Sequence, residues 1–197
     1  MSTLMHELPQ RHRITVEHFY RMAEVGVFAE NDRVELIDGE IIDVPPMGHP
    51  HAGVLDYLAK LLIRTVEPRA IVRQQLPLRL GNYSEPLPDI VVARPRDDLY
   101  IDGHPTSADA LLVIEISSTT LRFDRNVKVP MYARHAIPEV WVLDVSGQEI
   151  HRYSSLEDGH YASTTTTPLA SRITLDVLQS ELDLAPLAAR LTDAQAI

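Results

Sequence analysis

Two spacings of hydrophobic residues alternate along this chain, and each predicts a different kind of element. A helical spacing, with apolar positions every three or four residues, is found over about 15–25, 51–66, 121–135 and, more weakly, 175–191. Thr15 is a typical N-cap for the first of these helices, and Pro68 follows the second as a stop. Pro130 lies inside the third and predicts a kink or an early end there.

Short apolar runs bounded by turn residues predict strands. They lie at about 34–37, 40–44, 71–80, 89–93, 110–116, 140–143 and 148–153, with 164–167 as strand or loop. Asp38-Gly39 predicts a hairpin turn, because a type I′ turn needs positive φ at both central residues. The order of elements indicates an α/β or α+β fold, with one mixed central sheet flanked by helices and preceded by a helix and a hairpin.

The length of the chain favours a single domain. Its 197 residues, 45% of them hydrophobic, are enough to bury a full core. Residues 1–14 are polar and are predicted to be a flexible N-terminus. Residues 15–197 are predicted to form one domain, with a C-terminal extension of strand and helix from about residue 154.

The composition excludes several classes of protein. The chain has no cysteine, so disulfides and thiolate metal sites are absent. The first residues lack the cationic start and apolar core of a signal peptide, and no apolar stretch approaches the roughly 18 residues of a membrane helix. We therefore expect a cytoplasmic protein without a membrane segment.

The formal charge of −10 argues mildly against broad, sequence-independent binding to nucleic acid, which depends on neutralising phosphates. A local basic surface stays open, since two groups of cations cluster in sequence. They are Arg64, Arg69, Arg73 and Arg79, and Arg122, Arg125, Lys128 and Arg134. Ordinary solvated surface is the simpler interpretation of both groups.

Two carboxylates lie at the edges of apolar runs. Asp89 precedes the run 90–93, and Glu115 interrupts an otherwise apolar run, where desolvation is costly unless a partner or a metal compensates. On neighbouring strands, about 4.7–4.9 Å apart, the two acids could share a Mg²⁺ ion, with the backbone carbonyl of Ile116 as a third ligand. Lys128, on the next predicted helix, could place its ammonium near the metal-bound water.

Simpler interpretations exist for each residue alone. Asp89 could be a turn residue at a strand start, and Lys128 could be solvated. His49 and His51 could bind zinc, although no third ligand accompanies them; a histidine at the start of a helix or beside a nuclease site is the better interpretation. Tyr132 and Trp141 fit core packing better than base stacking.

Taken together, these residues resemble the PD-(D/E)XK, or restriction-endonuclease-like, nuclease superfamily, and most closely its bacterial branch of predicted restriction endonucleases. The resemblance covers about residues 15–153. The matching segments are Val34 to Glu40, His51, Pro88-Asp89, Glu115 to Ser117, Asp124 to Lys128 with Tyr132, and Ile137 to Asp144.

The resemblance implies a role for four residues. Asp89 matches the metal-binding aspartate of the "PD" element, and Glu115 matches the acid of the "(D/E)XK" element. Ser117 stands where that element has its lysine; in this branch the following helix supplies the lysine, and Lys128 fits that place. Glu35 matches an N-terminal acid that joins the site and would support a second metal or a water.

The sequence thus predicts a Mg²⁺-dependent endonuclease, with Mn²⁺ possible, that hydrolyses DNA phosphodiester bonds. A homodimer is expected, because a two-fold dimer is the simplest way to cut both strands with one site per chain. The alternative is a catalytically inactive binding or interaction module with the same fold. The negative charge and the displaced lysine favour the alternative, whereas the retention of all four polar positions favours the enzyme.

Overall fold

The computed structural model describes residues 11–195. The helices are α1 (Val16–Glu24), α2 (His49–Val66), α3 (Leu121–Phe123), α4 (Val129–Arg134) and α5 (Ala185–Gln195). The strands are β1 (Val34–Ile37), β2 (Glu40–Asp43), β3 (Ile71–Gln74), β4 (Ile90–Ala93), β5 (Ala110–Ser117), β6 (Val140–Asp144), β7 (Glu149–Glu157), β8 (His160–Pro168), β9 (Arg172–Leu175) and β10 (Ser180–Asp183). Over this range, no helix combines the length and the apolarity needed to cross a membrane.

Six strands form the central sheet, in the order β3-β4-β5-β6-β7-β8. β5 and β6 are parallel, and every other neighbouring pair in this sheet is antiparallel. The crossover between the parallel strands carries α3 and α4. This mixed sheet with flanking helices confirms the predicted fold class. Residue 154, the predicted start of a C-terminal extension, lies inside β7, so the extension begins within the sheet itself.

The two faces of the sheet carry separate cores. On one face, α2 packs with the apolar side chains of β9, β10 and α5. On the other face, α4 packs over Val91, Val113 and Val142, together with Leu78 and Leu80 from the loop between β3 and β4. Because side chains alternate along a strand, Glu115 projects to the same face as Val113, toward α4.

The hairpin of β1 and β2 turns as predicted. Asp38 and Gly39 have φ values of 50° and 84°, the positive pair of a type I′ turn. A Cβ atom at Gly39 would also lie 2.7 Å from the Cβ of Arg13, so the turn requires glycine for space as well as for conformation.

The N-terminal segment differs in part from its prediction. Of the flexible N-terminus predicted over 1–14, residues 1–10 lie outside the described residues. Residues 11–14 are held against the hairpin, since the Ile14 N–H donates to the Gly39 carbonyl at 2.9 Å.

Two predicted elements have different bounds. The strand predicted over 71–80 ends with β3, because Gln75 takes a φ of 49° that breaks extended structure. The helix predicted over 175–191 is wrong in its first half, where β9 and β10 pair instead. The alternating buried residues of those strands were a strand signal, and Pro186 falls in the first turn of α5, where its missing N–H costs nothing.

The helix predicted over 121–135 is continuous but not regular. Asp124–Lys128 forms a π-helical turn between α3 and α4, and the Val129 N–H donates to the Asp124 carbonyl. Pro130 has no N–H and clashes with the carbonyl four residues before it, so the wider turn accommodates the proline where a kink was predicted.

Candidate active site

A cavity of about 610 Å³ opens where β4 and β5 meet the start of α2 and the π-helical turn. It brings together the four residues singled out from the sequence, which come from four different elements. These are Glu35, Asp89, Glu115 and Lys128, with exposed fractions of 3%, 8%, 2% and 6%.

Strand pairing brings the two central carboxylates together. β4 and β5 are antiparallel with Ile90 opposite Ile114, and continuing this register by one residue places Asp89 opposite Glu115. Side chains of directly opposite residues lie on the same face of an antiparallel pair. The two acids therefore face the cavity from adjacent strands.

Asp89 is held by three donors. Its Oδ1 lies 2.9 Å from His51 Nε2 and 3.1 Å from Gln75 Nε2, and its Oδ2 accepts the Ile116 N–H at 2.8 Å. Burial alone raises the pKa of this carboxyl, but the hydrogen bonds and the charge of His51 outweigh burial, and the pKa of Asp89 lies below its usual range. Asp89 is thus a fixed, ionised carboxylate.

Glu115 is buried against Lys128 and Tyr132. Its Oε1 accepts the Tyr132 hydroxyl at 2.5 Å and lies 3.3 Å from Lys128 Nζ. Burial raises the pKa of Glu115 to about 8; Lys128 offsets only part of this rise, and the nearby carboxylates add to it. The pKa of Glu115 therefore lies well above that of Asp89, although Lys128 Nζ is only 3.3 Å from its carboxyl group.

Lys128 bridges two acids. Its Nζ lies 3.1 Å from Glu35 Oε2 and 3.3 Å from Glu115 Oε1. Burial alone lowers the pKa of Lys128, but the two carboxylates outweigh burial and raise the pKa above its usual range. Glu35 Oε2 also accepts the Leu87 N–H at 3.0 Å, which fixes the carboxylate that holds the ammonium.

The turn that carries Lys128 is tied to β5. Asp124 Oδ2 accepts the Ser117 and Thr120 hydroxyls, each at 2.6 Å. Ser117, at the position where the superfamily pattern has its lysine, is fully buried in this contact. A short hydroxyl there positions the helix that supplies the lysine.

The donor set fits a hard divalent cation. Within residues 11–195, no group of three or more His, Asp or Glu side chains is placed to hold a metal, so a cation here would have at most two carboxylate ligands. Mg²⁺ usually takes only one or two carboxylates and keeps its waters. A carboxylate offers about four lone-pair positions, so Asp89 with three donors and Glu115 with two each retain free acceptor capacity.

The backbone carbonyl of Ile116 offers a third oxygen ligand beside the carboxylates of Asp89 and Glu115. Its N–H is directed to Asp89, and the N–H and carbonyl of one strand residue project to the same side of the strand. Continuing the β4–β5 register by two residues places Pro88 opposite Ile116, and proline has no N–H to donate to that carbonyl.

Four residues help to build the site without having been predicted as site residues, although His51 was considered as a neighbour of a nuclease site. His51 and Gln75 hold Asp89, Tyr132 binds Glu115, and Asp124 anchors the π-helical turn. Tyr132 was interpreted as core packing, although it lies four residues beyond Lys128 and so shares its helix face. Gln75 carried no local signal, because only the end of β3 places it beside Asp89.

The pKa of Glu115 predicts how stability depends on pH. Its ordinary value is 4.5 and its folded value is about 8, so the folded protein binds more protons between these values. The stability that Glu115 contributes is complete below pH 4.5 and lost as pH rises through 8. We expect the melting temperature in a chelator to fall over this range and to fall less in Glu115→Gln. Asp43→Asn, another acid of the cavity lining, is the control, and an unchanged slope in Glu115→Gln would contradict the assignment.

The geometry can be compared with known proteins. The family described as "Putative restriction endonuclease", Uma2, matches residues 16–188. A solved structure, described as a putative nuclease belonging to DUF820 from Anabaena variabilis ATCC 29413, is similar with a TM-score of 0.68. It shares 18% sequence identity with this chain, and the match covers 90% of this chain and 99% of that one. No curated protein matches at a significant level.

The mixed sheet, its crossover and this structural likeness define a restriction-endonuclease-like fold, as the sequence predicted. The family match extends over most of the described chain. The chain belongs to the Uma2 family, and membership of this family supports a nuclease.

Proposed function

We propose that this protein is a Mg²⁺-dependent endonuclease that hydrolyses phosphodiester bonds of DNA, with Mn²⁺ able to replace Mg²⁺. One observation carries the proposal. Two acids on facing positions of adjacent strands share a cavity with a buried lysine, whose Nζ lies 3.3 Å from one of them. This arrangement combines a place for a hard cation with a fixed positive charge beside it.

Asp89 and Glu115 would hold the metal, and the Ile116 carbonyl would add a third protein ligand. When bound, Mg²⁺ supplies Lewis-acid polarisation of a phosphoryl oxygen and lowers the pKa of coordinated water. His51 and Gln75 keep the Asp89 carboxylate in one orientation. A cation held by Glu115 would compensate for the burial of its carboxylate.

Lys128 would orient the attacking water and offset the negative charge that develops on the phosphate. Its raised pKa keeps the amine protonated, so it acts as a fixed cation and hydrogen-bond donor. The resemblance seen in the sequence implies that Glu35 supports a second metal or a water. We assign Glu35 instead to positioning Lys128, because one of its oxygens is already shared by Lys128 and the Leu87 N–H.

The direct test is cleavage of supercoiled and linear duplex DNA by the purified protein, with Mg²⁺, with Mn²⁺ and with a chelator. We expect cleavage in either metal and none in the chelator. Cleavage that persists in the chelator would overturn the metal-dependent mechanism, and absence of cleavage in both metals would favour the alternative below.

The alternative is an inactive binding or interaction module. One observation favours it: both central carboxylates have partners without a metal, Asp89 through three donors and Glu115 through Lys128 and Tyr132. Titration with Mg²⁺ in a calorimeter separates the two proposals, since a module of this kind needs no cation.

We also propose that the protein is a homodimer, because two sites related by a two-fold axis can cut both strands. The open edge of the sheet offers one surface for it. β8 carries no Asp, Glu, Lys or Arg, and in the described part of the chain it pairs only with β7. Light scattering should give twice the 22.1 kDa chain mass, and a monomer that makes double-strand cuts would contradict the proposal. We also propose a cytoplasmic location, as expected from the sequence.

A further inference from the structure

Two arginines line the cavity beside the buried acids. Arg33 and Arg122 are exposed, and neither forms an ion pair with any residue between 11 and 195. Arg79, Arg96 and Arg152 each have a carboxylate within 4.0 Å. The cavity thus presents two guanidinium groups that are free to bind an anion.

The two arginines come from separate parts of the lining. Arg33 directly precedes β1, and its carbonyl accepts the Val44 N–H at 2.8 Å, which fixes its backbone. Its Nη2 lies 3.4 Å from Gln75 Oε1, and Gln75 in turn binds Asp89. Arg122 lies in α3, on the segment that follows β5. The arginines therefore approach the buried acids from two different segments.

Acidic side chains outnumber basic ones in the cavity lining. Five acids line it, namely Glu35, Asp43, Asp89, Glu115 and Asp124, and Lys128 is already paired with two of them. A nucleic-acid backbone would be repelled from such a surface unless cations at its mouth compensate. Guanidinium groups bind phosphate through two parallel hydrogen bonds, so they suit this task better than ammonium groups.

We infer that Arg33 and Arg122 bind backbone phosphates of the nucleic acid and so position the strand over Asp89 and Glu115. The inference rests on the proposed nuclease function and adds the residues that hold the substrate. It also explains how a chain with a net charge of −10 can bind a polyanion: the attraction is confined to the mouth of one cavity.

The experiment measures binding of a fluorescent duplex oligonucleotide with Ca²⁺ in place of Mg²⁺, over a range of salt concentrations. Log affinity falls as log salt rises, and each lost phosphate contact makes this negative slope shallower by about 0.9 on duplex DNA. We expect that decrease for Arg33→Ala and for Arg122→Ala, twice that decrease for the double variant, and a loss of affinity of about tenfold per arginine. Melting temperatures should stay near that of the unmodified protein, because both side chains are exposed.

Two controls make the result specific. Arg64→Ala removes another exposed arginine without an ion pair among the described residues, about 20 Å farther along α2 than His51, at about 1.5 Å per residue. It should leave the slope unchanged. Lysine at 33 or 122 should retain the slope, since the charge remains, but should bind more weakly because paired hydrogen bonds are lost.

The outcomes separate this inference from the proposed function. If the alanine variants bind DNA with the unmodified slope, or if Arg64→Ala lowers it as much as they do, the phosphate-binding role is wrong while the nuclease proposal stands. If the unmodified protein neither binds nor cleaves DNA, both are overturned.

Discussion

Replacing Lys128 with alanine should lower the rate of DNA cleavage by about 10²–10³-fold, the contribution expected of one fixed donor that stabilises developing negative charge, while Mg²⁺ binding is retained. The ammonium lies between Glu35 and Glu115, and neither acid can take over its charge. Single-turnover cleavage measures the first effect, and calorimetric titration with Mg²⁺ measures the second.

The substitution also removes the partner of two buried acids, which typically costs about 3–5 kcal/mol of stability. Lys128→Met, which keeps the aliphatic length, is therefore assayed beside it. Lys60→Ala is the matched control, because Lys60 is the only other lysine in the sequence and is exposed on α2. Cleavage by either Lys128 variant at the parental rate would show that this lysine takes no part in the reaction.

The substitution Ser117→Lys tests whether a lysine at the end of β5 can take over the role of Lys128. The sequence alone predicts that Ser117→Lys, added to Lys128→Ala, restores part of the activity. In the structure the Ser117 hydroxyl donates to Asp124, so a lysine at 117 would have that carboxylate as its nearest partner. The substitution would also remove the hydrogen bond that ties the π-helical turn to β5. We therefore expect small recovery at most, since a displacement of about 1 Å can cost roughly 10²-fold.

Loss of either of the acids proposed to bind the metal should abolish stabilisation by Mg²⁺. At a concentration of 100 times the dissociation constant, a ligand stabilises the folded state by about 2.7 kcal/mol, and Asp89→Asn and Glu115→Gln should both lose this increment. Thermal unfolding with and without Mg²⁺ measures it. Asp43→Asn, which changes another acid of the cavity lining, should keep it.

Without metal, Asp89→Asn and Glu115→Gln should differ in their effect on stability. The sequence suggested that neighbouring acids raise each other's pKa, so that Asp89→Asn would leave metal-free stability unchanged or slightly higher. The structure revises this for Asp89, whose pKa is lowered by three donors, and we now expect Asp89→Asn to be less stable. Glu115→Gln should not be destabilised above pH 8, since it removes a carboxylate whose pKa is raised. Full stabilisation by Mg²⁺ in both variants would refute the proposed metal site.

The sequence carried enough information for the central part of the fold. Short continuous apolar runs defined β4 and β5, and the carboxylates of Asp89 and Glu115 stood out against those runs. The Asp38-Gly39 pair defined the first hairpin through its backbone requirements alone. Family resemblance was needed to choose Lys128, because nothing local distinguishes it from a solvated helix residue.

The partners of these residues could not be predicted in the same way. His51 reaches Asp89 from 38 residues away, and Gln75 does so only because β3 ends one residue earlier. Such contacts depend on tertiary packing, which the spacing of apolar residues does not encode. The C-terminal hairpin was missed for a different reason: its strands have only four residues each, too few for the alternation of apolar residues to outweigh a helical interpretation.

Ser117 and Asp124 join the strand that carries Glu115 to the helix that carries Lys128. Because that helix contains a π-helical turn, deleting one residue between 124 and 128 would restore a regular α-helix and rotate every later side chain by about 100°. Tyr132 would then turn away from Glu115 together with Lys128. We therefore expect a lysine on the strand and a π-helical turn in the helix to be alternative ways to place one ammonium. Among related chains, the residue at position 117 and the length of this turn should change together.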